Sequence, residues 1–155
     1  MHQPEPTDNT INNDEALIHK LAESTIQWMR AVIKANPEMA SRIGMPLLVE
    51  DWDNGIDRIC RNAPCLVITY TMAEYPVGAK DAVIAASHME LLLPSFDLSG
   101  CWAGYLMVAI QQSPKMKNLI GLDETFDVHA VLMIGYPKFQ YVTIPARNSV
   151  NVRWM

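Results

Sequence analysis

The chain has 155 residues, of which 50% are hydrophobic and 19% are charged, and its formal net charge is −5 at pH 7. A chain of this length and apolar content can bury one sizeable core, so we expect a single domain over residues 14–155. Acidic residues outnumber basic ones by 17 to 12, and no basic run alternates with aromatic residues. This composition argues against a nucleic-acid partner.

The first segment, residues 1–13, is polar and rich in Pro, Asn and Asp, and it lacks the apolar stretch of a secretory signal. We therefore expect it to be a disordered tail. From Asp14 to Ala35, apolar residues recur near helical spacing and predict an amphipathic helix. Asn36-Pro37 ends this helix, because a proline disfavours the helical conformation of the residue before it.

The middle of the chain predicts a strand followed by an apolar helix. Residues 38–54 indicate short helical turns with Trp52 packed inward, and residues 65–71 are rich in the β-branched and aromatic residues of a buried strand. Residues 79–93 predict a helix with few polar positions. A helix of this kind is buried on several sides, either in a large core or against a partner subunit.

Residues 91–110 have about the length required to span a bilayer, and they carry only one charge, Asp97. Pro94 and Gly100 lie in a cluster that breaks a helix, so we expect a buried helix followed by a buried strand and no membrane association. Two more elements follow, a strand or the start of one at 100–106 that leads into a short helix, and a helix that begins at Ser113-Pro114.

Residues 128–135 form a near-continuous apolar run that predicts a central strand, and the residues after it are expected to be extended.

The side chains contain no recognisable catalytic constellation. None of the four histidines shares the local spacing of a metal pair, and the three cysteines lack the short paired spacings of zinc or iron–sulfur sites. We therefore predict no metal site and no catalytic side chain, and we expect Cys60, Cys65 and Cys101 to be reduced, buried thiols in a cytoplasmic protein. If the protein is an enzyme, a cofactor must supply the chemistry.

Two features favour a bound cofactor. Gly100 and Gly104 flank the segment 101–103, and a backbone without side chains at two nearby points can approach a planar ligand closely. The alternative for this segment is a tight turn before a core strand. Arg147 is the second feature, because a guanidinium matches the geometry of a phosphate, although a lone arginine near a C-terminus is usually solvated.

An ordered set of short motifs, each weak alone, resembles the nitroreductase family over roughly residues 21–154. The motifs are Asn62-Ala-Pro, Asp81-Ala-Val-Ile-Ala, Ser99-Gly-Cys-Trp-Ala-Gly-Tyr-Leu-Met, Ser113-Pro, Gly121-Leu, Leu132-Met-Ile-Gly-Tyr-Pro-Lys and Ile144-Pro-Ala-Arg. The resemblance implies an α+β fold with a central, mostly antiparallel sheet flanked by helices. It also implies a homodimer that binds FMN at the subunit interface and passes electrons from NADH or NADPH to nitroaromatic or quinone acceptors.

The resemblance also implies roles for individual residues. The backbone of Trp102, Ala103 and Gly104 is expected to lie against the flavin ring, and Arg147 is expected to contact the FMN phosphate. Lys138 would add positive charge nearby, and the helix at 79–93 would form much of the dimer core. These assignments give four candidate cofactor-binding residues, Trp102, Ala103, Gly104 and Arg147.

Two family motifs that hold the flavin and its phosphate, Arg-x-Ser-x-Arg and Ser-x-x-Asn-x-Gln-Pro-Trp, do not occur in this sequence. The domain is therefore expected to match the C-terminal two thirds of the family, as a natural truncation or an incomplete reading frame. Two functions follow. The first is an FMN-dependent NAD(P)H oxidoreductase of the nitroreductase type, and the alternative is a truncated, non-catalytic dimeric homologue that acts as a small-molecule-binding or interaction module.

Overall fold

The computed structural model describes residues 8–139, 142–143 and 146–155. Four strands form one sheet in the order β1-β2-β4-β3, and every neighbouring pair is antiparallel. The elements in chain order are β1 (Asp8–Asn12), α1 (Glu15–Ala35), α2 (Pro37–Arg42), α3 (Met45–Asp53), β2 (Cys65–Met72), α4 (Gly78–Leu92), a 3₁₀ turn (Leu93–Phe96), β3 (Ser99–Trp102), α5 (Gly104–Gln111), α6 (Pro114–Leu119) and β4 (Phe126–Gly135).

Helices cover both faces of the sheet, and the alternation of side chains along β2 and β4 divides the core in two. Leu66 and Ile68 on β2 point into the larger core beneath α1, α3 and α5, whereas Val67 between them points into a smaller core beneath α4. The same alternation on β4 places Met133 in the larger core and Leu132 in the smaller one. Both central strands are therefore apolar on both faces, as expected for strands covered by helices.

Local sequence signals determine where the helices begin. The Asp14 carboxylate accepts hydrogen bonds from the N–H groups of Ala16 (3.0 Å) and Leu17 (3.2 Å), which have no partner within α1. Asn36 ends α1 and caps α2 through Met39 N–H, at 3.1 Å. Ser113 caps α6 in the same way before a proline in the first turn.

Most of the predicted elements are confirmed. The helix predicted from Asp14 to Ala35 is α1, the short turns at 38–54 are α2 and α3, and the strand at 65–71 is β2. The apolar run at 128–135 is β4, which lies between two other strands as predicted. The α+β fold class and the antiparallel sheet are confirmed as well.

Two predictions about the ends of the chain have different outcomes. The prediction of a disordered tail at residues 1–13 is wrong for Asp8–Asn12, which pair with β2 as an edge strand, while residues 1–7 lie outside the described residues. Pairing with a strand far along the chain supplies hydrogen bonds that local composition does not reveal. At the other end, residues 146–155 are exposed and belong to no helix or strand, and the extended conformation expected for them stays a prediction.

The predicted burial is wrong at three places. Only Cys60 is a buried thiol, since Cys65 is half-buried and Cys101 is exposed, although all three are free.

The segment 91–110 was predicted to be a buried helix followed by a buried strand. It contains the end of α4, a 3₁₀ turn, β3 and α5, and its Leu91 and Leu92 are exposed. Within the described residues, no helix combines the length and the apolar character needed to cross a bilayer. A four-residue edge strand leaves its outer side uncovered in a single chain, which explains the exposure of β3.

Candidate functional site

A cleft of about 1040 Å³ opens between the helices α1–α3 on one side and the end of β3 and the start of α5 on the other. Its size is at the upper end of the range for small-molecule sites. Its lining is predominantly apolar. The residues around it are Trp28, Val32, Met39, Ile43, Gly44, Met45, Leu47, Leu48, Asp51, Arg58, Ile59, Arg61, Trp102, Ala103, Gly104, Tyr105, Met107, Val108, Gln112 and Met133.

Three of the four predicted site residues come together at this cleft. Trp102, Ala103 and Gly104 all line it, at the point where β3 becomes α5. Arg147 does not line it and lies exposed in the segment 146–155, which belongs to no helix or strand. Lys138 is also exposed, with its ammonium group 5.6 Å from the centre of the Phe139 ring. The predicted contact of Arg147 with a phosphate therefore stays a prediction.

Hydrogen bonds to the sheet hold the start of α5 in place. The N–H of Ala103 donates to the Val131 carbonyl at 2.8 Å, which extends the pairing of β3 with β4 by one residue. Ala103 is buried, and no side chain caps the helix that follows. The first N–H groups of α5 have no partner within the helix, so they remain available to a ligand at this end.

Gly104 leaves open space at this end of the cleft. A Cβ placed on Gly104 would meet no atom within 4 Å, and the residue does not have a positive φ. Gly104 is therefore not required for an unusual backbone conformation. Its lack of a side chain instead leaves the adjacent backbone accessible to a ligand in the cleft.

The polar side chains around the cleft mostly bind each other. The indole of Trp28 donates to the Gln112 side-chain oxygen at 3.2 Å, and the Tyr105 hydroxyl donates to the Ile43 carbonyl. Arg58 forms an ion pair with Asp51 at 3.0 Å, which neutralises both charges at the mouth of the cleft.

Trp102 connects the site to α4. It is 37% exposed, and its indole N–H donates to the Glu90 carboxylate at 2.7 Å. Because Trp102 pairs with Leu132 on β4, its side chain lies on the α4 face of the sheet. The end of β3 is therefore attached both to the sheet and to α4.

The structure also shows cleft residues that the sequence analysis missed, chiefly Arg58 and Arg61 and the apolar wall of α2 and α3. Two arginines three positions apart, directly before the Asn62-Ala-Pro motif, were the available signal. Cys60 lies between them but is not a nucleophile, because burial, together with the nearby Asp57 carboxylate, raises its pKa to about 12. The described residues contain no group of His, Cys, Asp and Glu side chains that could hold a metal ion.

Several solved structures share this fold. A nitroreductase with bound FMN from Bacteroides fragilis superposes with a TM-score of 0.67 at 17% identity, over 96% of this chain and 76% of that one. An iodotyrosine deiodinase bound to FMN and 3-iodo-L-tyrosine gives a TM-score of 0.63 at 17% identity, over 96% of this chain and 76% of that one.

The NADPH:FMN oxidoreductase from Vibrio harveyi in complex with NAD⁺ superposes less closely. It gives a TM-score of 0.56 at 15% identity, over 92% of this chain and 55% of that one. A comparison with curated protein sequences gives no match. The sequence profile of the nitroreductase family, however, matches residues 4–136, which includes β1 and extends further toward the N-terminus than the motifs indicated. The chain therefore belongs to the nitroreductase family.

Proposed function

We propose that this protein is an FMN-dependent oxidoreductase that takes electrons from NADH or NADPH and reduces nitroaromatic or quinone compounds. The observation that carries the proposal is the geometry at the end of β3. There, an apolar cleft of about 1040 Å³ meets the uncapped start of α5 at a glycine with open space above it. A planar ring system that carries hydrogen-bond acceptors along one edge fits this combination of apolar walls and unpaired N–H groups.

The residues present fit the ring of FMN. Trp102, Ala103 and Gly104 would hold one edge of the ring through their backbone, and the apolar side chains of α1 to α3 would exclude water from it. FMN, when bound, supplies hydride and electron transfer, while the protein supplies binding and orientation.

Family membership supports the proposal, and so do the structural neighbours. Two of the neighbours described above are complexes with FMN, and a third is an NADPH:FMN oxidoreductase. Their low identity to this chain establishes the fold alone, so the cofactor and the electron donor are proposals for this protein.

We further propose that the protein is a homodimer. The outer surface of α4 carries exposed apolar side chains that a single chain leaves in water. These include Val83, Ile84, Leu91 and Leu92. The three free cysteines agree with the cytoplasmic location that we expect.

The alternative is a non-catalytic dimeric homologue that binds a small molecule in the same cleft. One observation favours it. Among the described residues, Arg147 does not reach the cleft, and the Arg58 guanidinium is already paired with Asp51. A weakly held phosphate would leave a cleft that binds ligands without retaining a flavin.

Flavin retention distinguishes the two functions. The purified protein is mixed with FMN and passed through a gel-filtration column, and the visible spectrum of the protein peak is recorded. The oxidoreductase proposal predicts retained flavin absorbance, together with oxidation of NADH or NADPH in the presence of a quinone. A colourless protein peak with no NAD(P)H oxidation supports the non-catalytic homologue.

A pair of variants locates the flavin. Gly104→Leu adds a side chain where the cleft has open space, so it is expected to abolish flavin retention without unfolding the protein. Ala31→Leu adds the same side chain at an exposed position on α1 and is expected to retain flavin as the wild type does. Equal flavin retention by the two variants would show that the start of α5 is not part of the flavin site.

A further inference from the structure

We propose that Arg61 is the anion-binding residue of the cleft and that it selects ligands carrying a carboxylate or phosphate group on an aromatic body. This inference rests on the proposed function, since it concerns the same cleft. It assigns a recognition role to a residue in the loop between α3 and β2.

The first argument comes from the charges around the cleft. The charged side chains that line it are Asp51, Arg58 and Arg61. The first two form an ion pair, whereas Arg61 forms no hydrogen bond or ion pair with any of the described residues. The polar side chains of Trp28, Gln112, Trp102 and Tyr105 are also hydrogen-bonded within the protein. Among the described residues that line the cleft, Arg61 is therefore the only charged one without an ion-pair partner.

The second argument is the position of Arg61. A smaller cavity of about 280 Å³ lies beside the cleft, between the loop before β2 and the strands β3 and β4. Arg61 and Met133 line both cavities. A guanidinium at this junction can contact a ligand in the large cleft or a group that extends from it into the smaller cavity.

The third argument is that the loop holding Arg61 is fixed in a strained conformation. Arg61 and Asn62 both have left-handed backbones, with φ of 55° and 53°. At Arg61 this conformation is unfavourable and persists only where the surroundings impose it, whereas asparagine adopts it more readily.

Asp57 imposes this conformation. Its carboxylate accepts hydrogen bonds from the N–H groups of Ile59 (2.8 Å), Cys60 (2.9 Å) and Asn62 (3.1 Å), on either side of Arg61. Asp57 is thus a positioning residue, because it holds the loop that directs Arg61 toward the cleft.

The chemistry of the ligand follows from these three arguments. A guanidinium binds carboxylate and phosphate groups through two parallel hydrogen bonds, and such charge-assisted bonds are stronger than neutral ones. The rest of the cleft is apolar and accepts an aromatic body. The anion has two possible sources, which are the phosphate of a flavin nucleotide and an acidic group on an aromatic electron acceptor.

The test compares two pairs of ligands that differ in charge. The first pair is FMN and riboflavin, which lacks the phosphate, and the second is para-nitrobenzoate and its neutral analogue para-nitrobenzyl alcohol. Binding is followed by quenching of tryptophan fluorescence, because Trp28 lines the cleft. This measurement needs no turnover, and the nitrobenzene pair is titrated without added flavin.

The variant is Arg61→Asn, because asparagine tolerates the left-handed conformation of this position. The charged member of at least one pair is expected to bind about 10- to 100-fold more weakly to the variant. The neutral members are expected to bind as they do to the wild type. Arg61→Lys should retain part of the affinity, and Arg42→Asn, on the exposed surface of α2, should change none of it.

The two pairs separate the two sources. Selective loss of FMN affinity assigns Arg61 to the flavin phosphate, and selective loss of nitrobenzoate affinity assigns it to the acceptor. A wild-type protein that binds neither flavin contradicts the proposed function, yet its preference for nitrobenzoate over the alcohol would still support the role of Arg61. The inference is overturned if Arg61→Asn leaves both pairs unchanged, or if the wild type shows no preference for an anion.

Discussion

Ala103 and Gly104 contribute to the cleft through their backbone. The bond from Ala103 N–H to Val131 O determines where α5 begins, and the missing side chain of Gly104 leaves that position open. The glycine was visible in the sequence. The pairing of Ala103 with β4 was not, because β4 lies later in the chain and the local pattern does not show which strands pair. The same holds for Arg61, whose importance depends on the pairing of Arg58 with Asp51.

Arg147 provides a test at the level of one residue. If it binds the FMN phosphate, Arg147→Ala is expected to weaken FMN binding about 10- to 100-fold, because one or more charge-assisted hydrogen bonds are lost. Fluorescence titration with FMN measures the effect, and riboflavin should bind the variant and the wild type equally. Arg153→Ala, in the same exposed segment, is the matched control. Unchanged FMN affinity of Arg147→Ala would contradict the assignment.

His129 is predicted to make the protein less stable in acid. It occupies a bulge in β4, and its ring nitrogen Nε2 lies 2.8 Å from the Thr71 hydroxyl. Burial lowers the pKa of His129 below its ordinary value of 6.5, and Lys117 adds to this, whereas Asp127 opposes it. The unfolded chain therefore binds more protons than the folded one below about pH 6.5, so stability is lost as the pH falls through that region.

The measurement is the change in melting temperature between about pH 7.5 and about pH 5.5. His129→Gln cannot take up a proton in this range and is expected to show a smaller decrease than the wild type. Gln27→Ala, at an exposed position on α1, changes no ionisable group, so it is the control and should keep the wild-type pH dependence. An unchanged slope in His129→Gln would exclude this residue as the cause.

The position of α4 depends on a close approach to β2. A Cβ on Gly78 would lie 2.3 Å from Thr71 Oγ1 and 2.9 Å from Thr71 Cβ, which is too short for either contact. Gly78→Ala is therefore expected to destabilise the protein by about 1–3 kcal/mol, because the first turn of α4 must move away from the sheet.

Chemical unfolding in urea measures this effect. Gly104→Ala is the matched control, since a Cβ there meets nothing within 4 Å, and it should change stability much less. Equal stability of the two variants would show that α4 can shift without cost.

The exposed apolar surface of α4 is the basis for the prediction that the whole molecule is a homodimer. Leu91 is 77% exposed and Leu92 is 60% exposed in a single chain, although the residues between 79 and 93 predicted a helix buried on several sides. Of the two alternatives drawn from the sequence, a large core does not cover this surface. The homodimer that we propose would cover this surface with a partner subunit.

Leu91→Glu is expected to convert a dimer into monomers, because it places a charge in an apolar interface. Sedimentation velocity or light scattering after gel filtration measures the mass. Ile11→Glu makes the same kind of change at another exposed apolar residue, on β1, and should leave the mass unchanged. A wild-type protein that is already a monomer would contradict the proposed dimer.

The sequence by itself determined the helices, the two central strands and the family. Those features depend on local signals, such as the cap at Asp14, the proline after Asn36 and the apolar run at 128–135, which act within a few residues. The tertiary structure alone decided that Asp8–Asn12 form an edge strand, that α4 leaves an apolar surface, and that Arg61 meets the end of β3 across a cleft. These features depend on contacts between segments far apart in the chain, and no periodicity within one segment encodes them.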